Sequence, residues 1–597
     1  MLNNEADGPL ARDRVAPTLT QSQSPDLTFR AADFDCLAAA LDHAAQGNAG
    51  LNFHNGRGGL DQVLTYAELC RSARRTAAGL LDLGLRRGDR VAIVAEMGPD
   101  FVIAFFACQY AGLVAAPLPE QTGLGTRTDY VATLRSIVHS AGARVVVGPD
   151  DLQATLSEVV QGLPGRRAAT TTGLMDGAPA NAELQPLGAG EISHIQYSSG
   201  STRTPQGIRI DQDALMANAR AVAVSAMQIR PGDRAASWLP FYHDMGLIGF
   251  LLIPLTCQVS VDYLASDSFA RRPLQWLKLI SQNRCQFAFS PTFGYDLCTR
   301  RAASASALEL DLSCWRVAGI GGETVRHQTL EAFADAFAPH GFRRDAFVPS
   351  YGLAESTLAV SFANRDRAPH VDWVDAEALV RRSVAEPAAE GPRTSGFTSC
   401  GAPIRDHAVA IRDAHGRSLP ERRVGRICVR GPSLMHGYDN APDETAEVLD
   451  ADGWLDTGDL GYLADGELFV TGRRKDLIIV NGRNILPQDL EWAAEHASPH
   501  LRSRDTAAFS VSGPDGREVP VILVQARTQA PGERKEVCNA VHSAIFRSAG
   551  IDCRVVLVPL RSLPFTSSGK LSRARARQLY LSGAFEDDAL PRAASAG

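Results

Sequence analysis

The sequence predicts an α/β protein: a large N-terminal region of α/β layers with a β-rich subdomain, followed by a small α+β C-terminal unit. Three observations carry this. From about residue 60, strand-like apolar runs alternate with helix-periodic stretches, the pattern of parallel layers. Beyond about residue 395 strands separated by turn residues take over. From Asp476 a compact strand–helix alternation restarts, about the size of an independent small domain.

In chain order, residues 1–30 are polar, contain Pro17 and Pro25, and are expected to be a flexible N-terminus. Thr65-Tyr66-Ala67-Glu68 forms a capping box ahead of a helix over 66–83. A strand at 89–94, a helix over 99–111, a strand at 113–118, a helix near 130–141 and a strand at 144–147 continue the alternation. Residues 192–196 read as a strand. Residues 362–398 are polar and rich in Ala, Arg, Glu and Pro, an insertion in character. Strands at 424–431 and 466–472 follow, and the boundary between the N-terminal part (31–474) and the C-terminal part (475–597) falls in Gly472-Arg473-Arg474-Lys475-Asp476. Beyond it come a strand at 477–480, a helix over 487–497, strands near 506–511 and 519–526, a helix over 535–547 and a strand at 554–560.

Composition narrows the class. At 597 residues a single core is not expected. Hydrophobic content of 45% with 21% charged residues is globular, and a net charge of −7 argues against nucleic acid as the partner. Eleven cysteines occur with no CxxC pair, so neither a disulfide framework nor a zinc site is indicated. No signal peptide is read, and the apolar stretches 101–118 and 245–261 are broken by Gly, Pro and Gln, which fits buried helix–strand pairs rather than membrane spans. A soluble cytoplasmic protein is expected. Only four of the 60 basic residues are lysine: Lys278, Lys475, Lys535 and Lys570. Arginine substitutes poorly where a compact ammonium must approach a reacting oxygen, so each surviving lysine is a candidate.

Several short constellations carry chemistry, each with a plainer reading beside it. Ser198, Ser199, Gly200, Ser201 and Thr202 begin a run ending at Gly207 that follows a strand and can wrap a phosphate, although such a run is more often a linker. His243-Asp244 sits among aromatic residues, where a neutral imidazole can meet a carboxylate or simply serve the core. Gly321-Gly322-Glu323 and Ser350-Tyr351-Gly352, the latter shortly before Glu355, set glycine against carboxylates. That suits a flat ring, a phosphate or Mg²⁺, or else a turn. Asp456-Thr457-Gly458-Asp459 can take ribose hydroxyls or form a plain turn. Residues 563–571 end a loop on Lys570.

Taken together, in this order and spacing, the motifs resemble the adenylate-forming superfamily from about residue 30 to 580. Trp238–Leu247, Gly482-Arg483-Asn484-Ile485-Leu486-Pro487 and Ser399-Cys400-Gly401-Ala402-Pro403 look like its fatty acyl-AMP ligase branch, which an insertion such as 362–398 distinguishes from CoA ligases. The resemblance implies that a fatty acid and MgATP give an acyl adenylate and pyrophosphate. Lys570 would be the catalytic lysine, and residues 198–207 would hold the β- and γ-phosphates. Glu355 would associate with Mg²⁺, and Gly321, Gly322, Glu323, Ser350, Tyr351 and Gly352 would flank adenine and the floor of the acyl tunnel. Asp459 and Arg473 would bind ribose, His243 would face the fatty-acid carboxylate, and Lys475 would be the hinge.

Gln206 departs from the pattern, since many superfamily members carry lysine there. Weaker ATP binding is the expectation. In this branch the adenylate passes to the phosphopantetheine thiol of an acyl carrier protein. Only 27 residues follow Lys570, so a holo carrier protein acting in trans is expected. The rival readings are a long-chain fatty acyl-CoA ligase and a catalytically degenerate nucleotide- or carrier-binding protein.

Overall fold

The computed structural model describes residues 18–585, apart from 23, 25, 122–125, 198–205, 306–307, 481–482, 514–517, 529 and 567–569. Two large sheets dominate. One has seven strands, in the order Gly437–Tyr438, Gly207–Asp211, Ile192–Tyr197, Val114–Leu118, Arg90–Val94, Val145–Gly148 and Arg167–Thr170. From Ile192–Tyr197 to Arg167–Thr170 its neighbours are parallel. The other has nine strands and runs parallel through Phe347–Gly352, Val317–Ile320, Phe287–Ser290, Arg234–Ser237, Ser260–Leu264 and Gly50–His54, with antiparallel strands at both edges. A third, antiparallel sheet joins Ala408–Arg412, Gly425–Arg430, Leu455–Ala464 and Glu467–Arg473. It supplies the β-rich part expected after residue 395.

The local signals set element ends closely. Thr65 Oγ accepts from Glu68 N while Glu68 reaches back to Thr65, so the helix Tyr66–Asp82 begins at its capping box. The helix Pro99–Ala111 has proline in its first turn and ends on left-handed Gly112. Residues 245–261 form π- and α-helical turns over Met245–Leu252 and Ile253–Thr256, then enter the strand Ser260–Leu264. Among the described residues no helix is long and apolar enough to cross a membrane.

Four details differ from the expectations. The helix placed at 535–547 spans Pro531–Ala549, because Pro531 occupies the first turn where its missing N–H costs nothing. The strand placed at 554–560 stops at Leu557, two residues before Pro559. Residues 362–398 contain an ordered ribbon, Val371–Asp375 paired with Thr394–Thr398, and a helix Ala376–Arg382 capped by Asp375. Packing also begins before residue 30: Thr20 is buried and its backbone N–H donates to Asn52 Oδ1 at 3.0 Å.

The main core runs from Ala32 to Leu455, with Trp276, Trp315 and Tyr295 among its largest buried side chains. Residues after 478 form two clusters of their own, around Leu490, Ile522 and Val541 and around Phe509, Val521 and Leu563. The C-terminal part, with its three-stranded sheet of Thr506–Ser512, Glu518–Val524 and Arg554–Leu557, therefore carries an independent apolar interior. A mixed cluster joins the regions: Val374 and Phe397 of the ribbon, Tyr462 and Phe469 of the antiparallel sheet, and Leu486 from the C-terminal part.

Candidate active site

The carboxyl ends of the parallel strands converge, where open α/β sheets bind ligands. Arg234–Ser237 leads into Trp238–His243, Val317–Ile320 into Gly321-Gly322-Glu323, and Phe347–Gly352 ends on Ser350, Tyr351 and Gly352. Tyr242, His243, Gly321–Glu323 and Ser350–Gly352 line one cavity of about 1830 Å³ together with Glu355, Asp459, Arg473, Lys475, Lys570 and Gln206. Ser350–Gly352 is strand rather than turn, and Asp456–Asp459 likewise lies within the strand Leu455–Ala464. Residues 198–205, with Ser198, Ser199, Gly200, Ser201 and Thr202, lie outside the described residues. Gly207 starts the strand Gly207–Asp211 and packs against Ile195, Tyr197 and Asp439 instead of lining the cavity.

Two glycines are required by geometry. A Cβ on Gly352 would stand 1.9 Å from Leu358 O, a backbone atom that cannot swing away. Gly322 adopts φ +79°, and a Cβ there would lie 3.9 Å from Lys570 Nζ and 3.4 Å from Met245 Cε. Lys570, on a loop of the C-terminal part, therefore meets the glycine turn of the large part. The loop is closed by Phe565 pairing with Leu571 and by Thr566 N donating to Lys570 O at 2.7 Å.

The carboxylates are held in distinct ways. Asp459 is buried: Oδ2 accepts from Tyr351 OH at 2.8 Å and Oδ1 from Arg473 Nε at 3.1 Å. Burial, with the Asp459 charge beside it, pushes the Tyr351 phenol far above its usual range. Glu355 is half-buried, and its Oε1 accepts from Tyr438 OH at 3.0 Å. Burial raises the Glu355 pKa although that hydrogen bond opposes the shift. His243 Nδ1 lies 2.6 Å from Asp244 Oδ1 and 3.3 Å from Met245 N, contacts that fix the ring orientation through Nδ1. Burial works against the charge on Asp244, but His243 and then Lys570 outweigh it, and its carboxyl sits below the ordinary range. Burial pulls the Lys570 ammonium below its usual value, opposed by Asp244, Glu323 and Asp459 and reinforced by Arg473.

Glu323 also has a structural duty, since its Oε1 accepts from Phe293 N at 2.8 Å. Lys475 is exposed in the turn Arg474–Asp476 at the junction of the two parts. Two cavity residues escaped the sequence reading as site residues. Tyr438 had no signal beyond following Gly437, and Asp244 was visible only as a neighbour of His243.

The cavity thus joins an apolar run beside Met245, Gly249, Phe250, Phe289 and Phe362 to a polar run beside Glu323, Tyr351, Glu355 and Asp459. A family model described as AMP-binding enzyme matches residues 41–439. The chain is 47% identical over 566 residues to a Caulobacter vibrioides protein named "Putative acyl-CoA synthetase", covering 94% of this chain and 98% of that one. It is 34% identical over 539 residues to the medium-chain-fatty-acid–[acyl-carrier-protein] ligase JamA of Moorena producens, covering 88% of this chain and 90% of JamA. A solved structure from a study of fatty acyl-adenylate ligases of E. coli and L. pneumophila matches with a TM-score of 0.89 at 43% identity, covering 93% of this chain and 100% of that chain. The chain therefore belongs to the AMP-binding enzyme family, in the branch that contains the fatty acyl-AMP ligases, and is an ATP-dependent adenylating ligase.

Proposed function

We propose that the protein joins a fatty acid to AMP and then passes the acyl group to the phosphopantetheine thiol of a holo acyl carrier protein acting in trans. The observation that carries this reading is Lys570 standing against Gly322 and Met245, between the apolar and polar runs of the cavity. In the first step a fatty-acid carboxylate oxygen bonds to the α-phosphorus of ATP, and the bond from that phosphorus to the pyrophosphate oxygen breaks. Two anions meet, so charge neutralisation and alignment dominate. Lys570 Nζ stabilises the charge on the α-phosphoryl oxygens, and His243 faces the carboxylate with its ring fixed by Asp244. Asp459 takes the ribose hydroxyls, its remaining lone pairs directed by Tyr351 and Arg473. Gly321–Glu323 and Ser350–Gly352 flank the adenine, and the 198–207 run holds the outer phosphates with Gln206 in place of a lysine.

Glu355 is the residue that would hold Mg²⁺. It fits that role as a lone half-buried carboxylate bonded to a neutral phenol, and among the described residues no cluster of three or more metal-binding side chains competes with it. Mg²⁺ is commonly held by one or two carboxylates together with substrate phosphates and waters. When bound, the ion neutralises phosphate charge.

In the second step the thiolate sulfur bonds to the acyl carbonyl carbon and AMP leaves. Preference for a carrier over free CoA is supported by the ribbon at 371–398, whose Val374 and Phe397 share an apolar cluster with Leu486 of the small domain and so oppose its rotation. The name of the Caulobacter relative favours a second reading, acyl-CoA formation. Deleting 362–398 separates the readings poorly, because it would expose Tyr462 and Phe469. The decisive experiment supplies a fatty-acid mixture, ATP and Mg²⁺ with CoA and holo carrier protein in competition, and identifies products by mass spectrometry. Acylated carrier with little acyl-CoA is expected. Efficient acyl-CoA formation overturns the acceptor assignment, and no pyrophosphate release overturns adenylation.

A further inference from the structure

Lys570 reaches the cavity from the small domain, so contacts between the two domains set where its loop sits. Among the described residues of that loop, Thr566 and Lys570 bond to each other and Phe565 pairs with Leu571, contacts that lie within the small domain. Arg504 of the small domain crosses to the large domain beside this loop. Its guanidinium carbon lies 4.3 Å from the ring centre of Phe293 in the large domain and 4.4 Å from that of Phe565 in the lysine loop. One planar cation thus bridges two aromatic rings, one from each side of the interface.

Both ends of this bridge are anchored. Phe293 donates its backbone N–H to Glu323 on the glycine wall, and its ring packs edge-on against Trp238 at 5.6 Å. Arg504 itself adopts φ +70°, a backbone state uncommon for a residue with a side chain. Its N–H is tied to Glu495 Oε1 at 2.5 Å. Glu495 Oε2 in turn accepts from Arg326 of the large domain at 3.4 Å, and Arg326 lies over Trp492 at 5.0 Å. Each domain therefore sends one arginine onto the other's aromatic surface, and Glu495 connects the two. Phe565 stands five residues before Lys570, so a shift of the Arg504 stack moves the base of the lysine loop directly.

We infer that Arg504 is a positioning residue for Lys570: stacked between Phe293 and Phe565, it seats the lysine loop against Gly322 for adenylate formation, and its contact with Phe293 parts whenever the small domain turns. The inference rests on the proposed adenylation role of Lys570. It predicts a loss confined to one half-reaction.

The test compares wild type with Arg504→Ala, Arg504→Lys and Phe565→Leu in the full chain. Pyrophosphate release should fall roughly tenfold or more in kcat for Arg504→Ala, with KM for ATP changed by less than about threefold. Arg504→Lys should fall between, and combining Arg504→Ala with Phe565→Leu should add little. Transfer from a synthetic acyl adenylate to a thiol acceptor should keep the wild-type rate. Unchanged pyrophosphate release, or equal losses in both half-reactions, overturns the inference.

A second measurement does not depend on turnover. The chain has four lysines, so acetylation followed by peptide mass spectrometry reads Lys570 against Lys278, Lys475 and Lys535 as internal standards. Arg504→Ala should raise labelling of Lys570 alone, by about fivefold to tenfold. Equal labelling in wild type and variant overturns the positioning role even if the wild type releases no pyrophosphate, an outcome that would separately overturn the adenylation reading.

Discussion

The two halves of the cavity are built differently. The large domain presents its half at the ends of parallel strands, with its polar side chains already paired: Asp459 to Tyr351 and Arg473, Glu355 to Tyr438, Glu323 to Phe293 N. The small domain presents a lysine on a loop, together with Arg504 and the Glu495 connection. One half is preorganised by a deep core and the other is conditional on docking. Nucleotide affinity should therefore belong to the first half and reaction rate to the second, and mutations can separate them.

The largest separation is expected at Lys570. Lys570→Ala should reduce pyrophosphate release by roughly 10²–10³-fold, the usual loss for removing one charge-stabilising donor in a water-excluded site. Binding of a nucleotide analogue, measured by calorimetry, should stay within about threefold, because Asp459, Tyr351 and Glu323 keep their geometry. Lys570→Arg should not restore the rate, since the ammonium already stands 3.9 Å from where a Cβ on Gly322 would sit and a planar guanidinium needs more room. Equal losses of binding and rate would erase the distinction between the halves.

The converse belongs to Asp459. Asp459→Ala strips the acceptor from Tyr351 and Arg473 at once, leaving a buried phenol and a guanidinium without their carboxylate. A charged hydrogen bond lost with a buried partner costs about 1.5–3 kcal/mol, so KM for ATP should rise roughly tenfold to a hundredfold. Steady-state kinetics at saturating fatty acid checks this. A fall in kcat at unchanged KM would move Asp459 into the rate-determining half.

The same contrast explains what the sequence made legible. Residues 66–148 could be read because helix signals there are local: a capping box at Thr65–Glu68, and Pro99 and Gly112 bracketing one helix. The helix Leu37–Ala44 and the strands Gly50–His54 and Leu60–Thr65 before them were not anticipated. The candidate residues on the large-domain side of the cavity stand out in the sequence because glycine and carboxylate strings fall near strand ends, and Lys570 because lysine is so scarce. Partners distant in sequence could not. Tyr438 lies 83 residues from Glu355, Tyr351 lies 108 from Asp459, and Arg326 lies 169 from Glu495. Nothing local marks Arg504 apart from dozens of other arginines. The helix Arg573–Leu581 was missed because Ala576 is its one buried residue, so it shows no apolar stripe. Residues 362–398 looked like a polar insertion because the ribbon faces the core with few large side chains, Val374 and Phe397 among them.

Preorganisation of the large half has a structural cost that Gly352 exposes. Gly352→Ala would set a methyl carbon 1.9 Å from Leu358 O, and only backbone movement relieves it. Overpacking of this kind costs about 1–3 kcal/mol, visible as a lower thermal midpoint. Gly322→Ala meets only the flexible ends of Lys570 and Met245, though its φ of +79° still adds strain of about 1 kcal/mol. The thermal midpoint of the Gly352 variant should therefore fall further. The reverse order would mean that the lysine side of the wall, and not the strand side, sets its rigidity.

The smallest effect tests the docking contact by pH. Burial raises the Glu495 carboxyl to about 7, with Arg326 opposing the shift and Glu491 adding to it. The groups facing it are Arg326, Glu491, the Arg504 N–H and Thr506. In the folded chain this acid holds its proton to higher pH than when unfolded, so the folded state binds more protons in between. Its stabilising contribution is then fully present below the unfolded value near 4.5 and is lost as pH rises through about 7. Glu495→Gln keeps an oxygen acceptor for the Arg504 N–H but does not titrate. Between about pH 5 and pH 8 the thermal midpoint of the wild type should decline relative to that of Glu495→Gln, by the equivalent of roughly 1 kcal/mol. The effect is this small because the domain contact can open locally before the large core unfolds. A difference that stays flat with pH would mean Glu495 is charged in the docked state throughout, and the contact would then be an ordinary ion pair with Arg326.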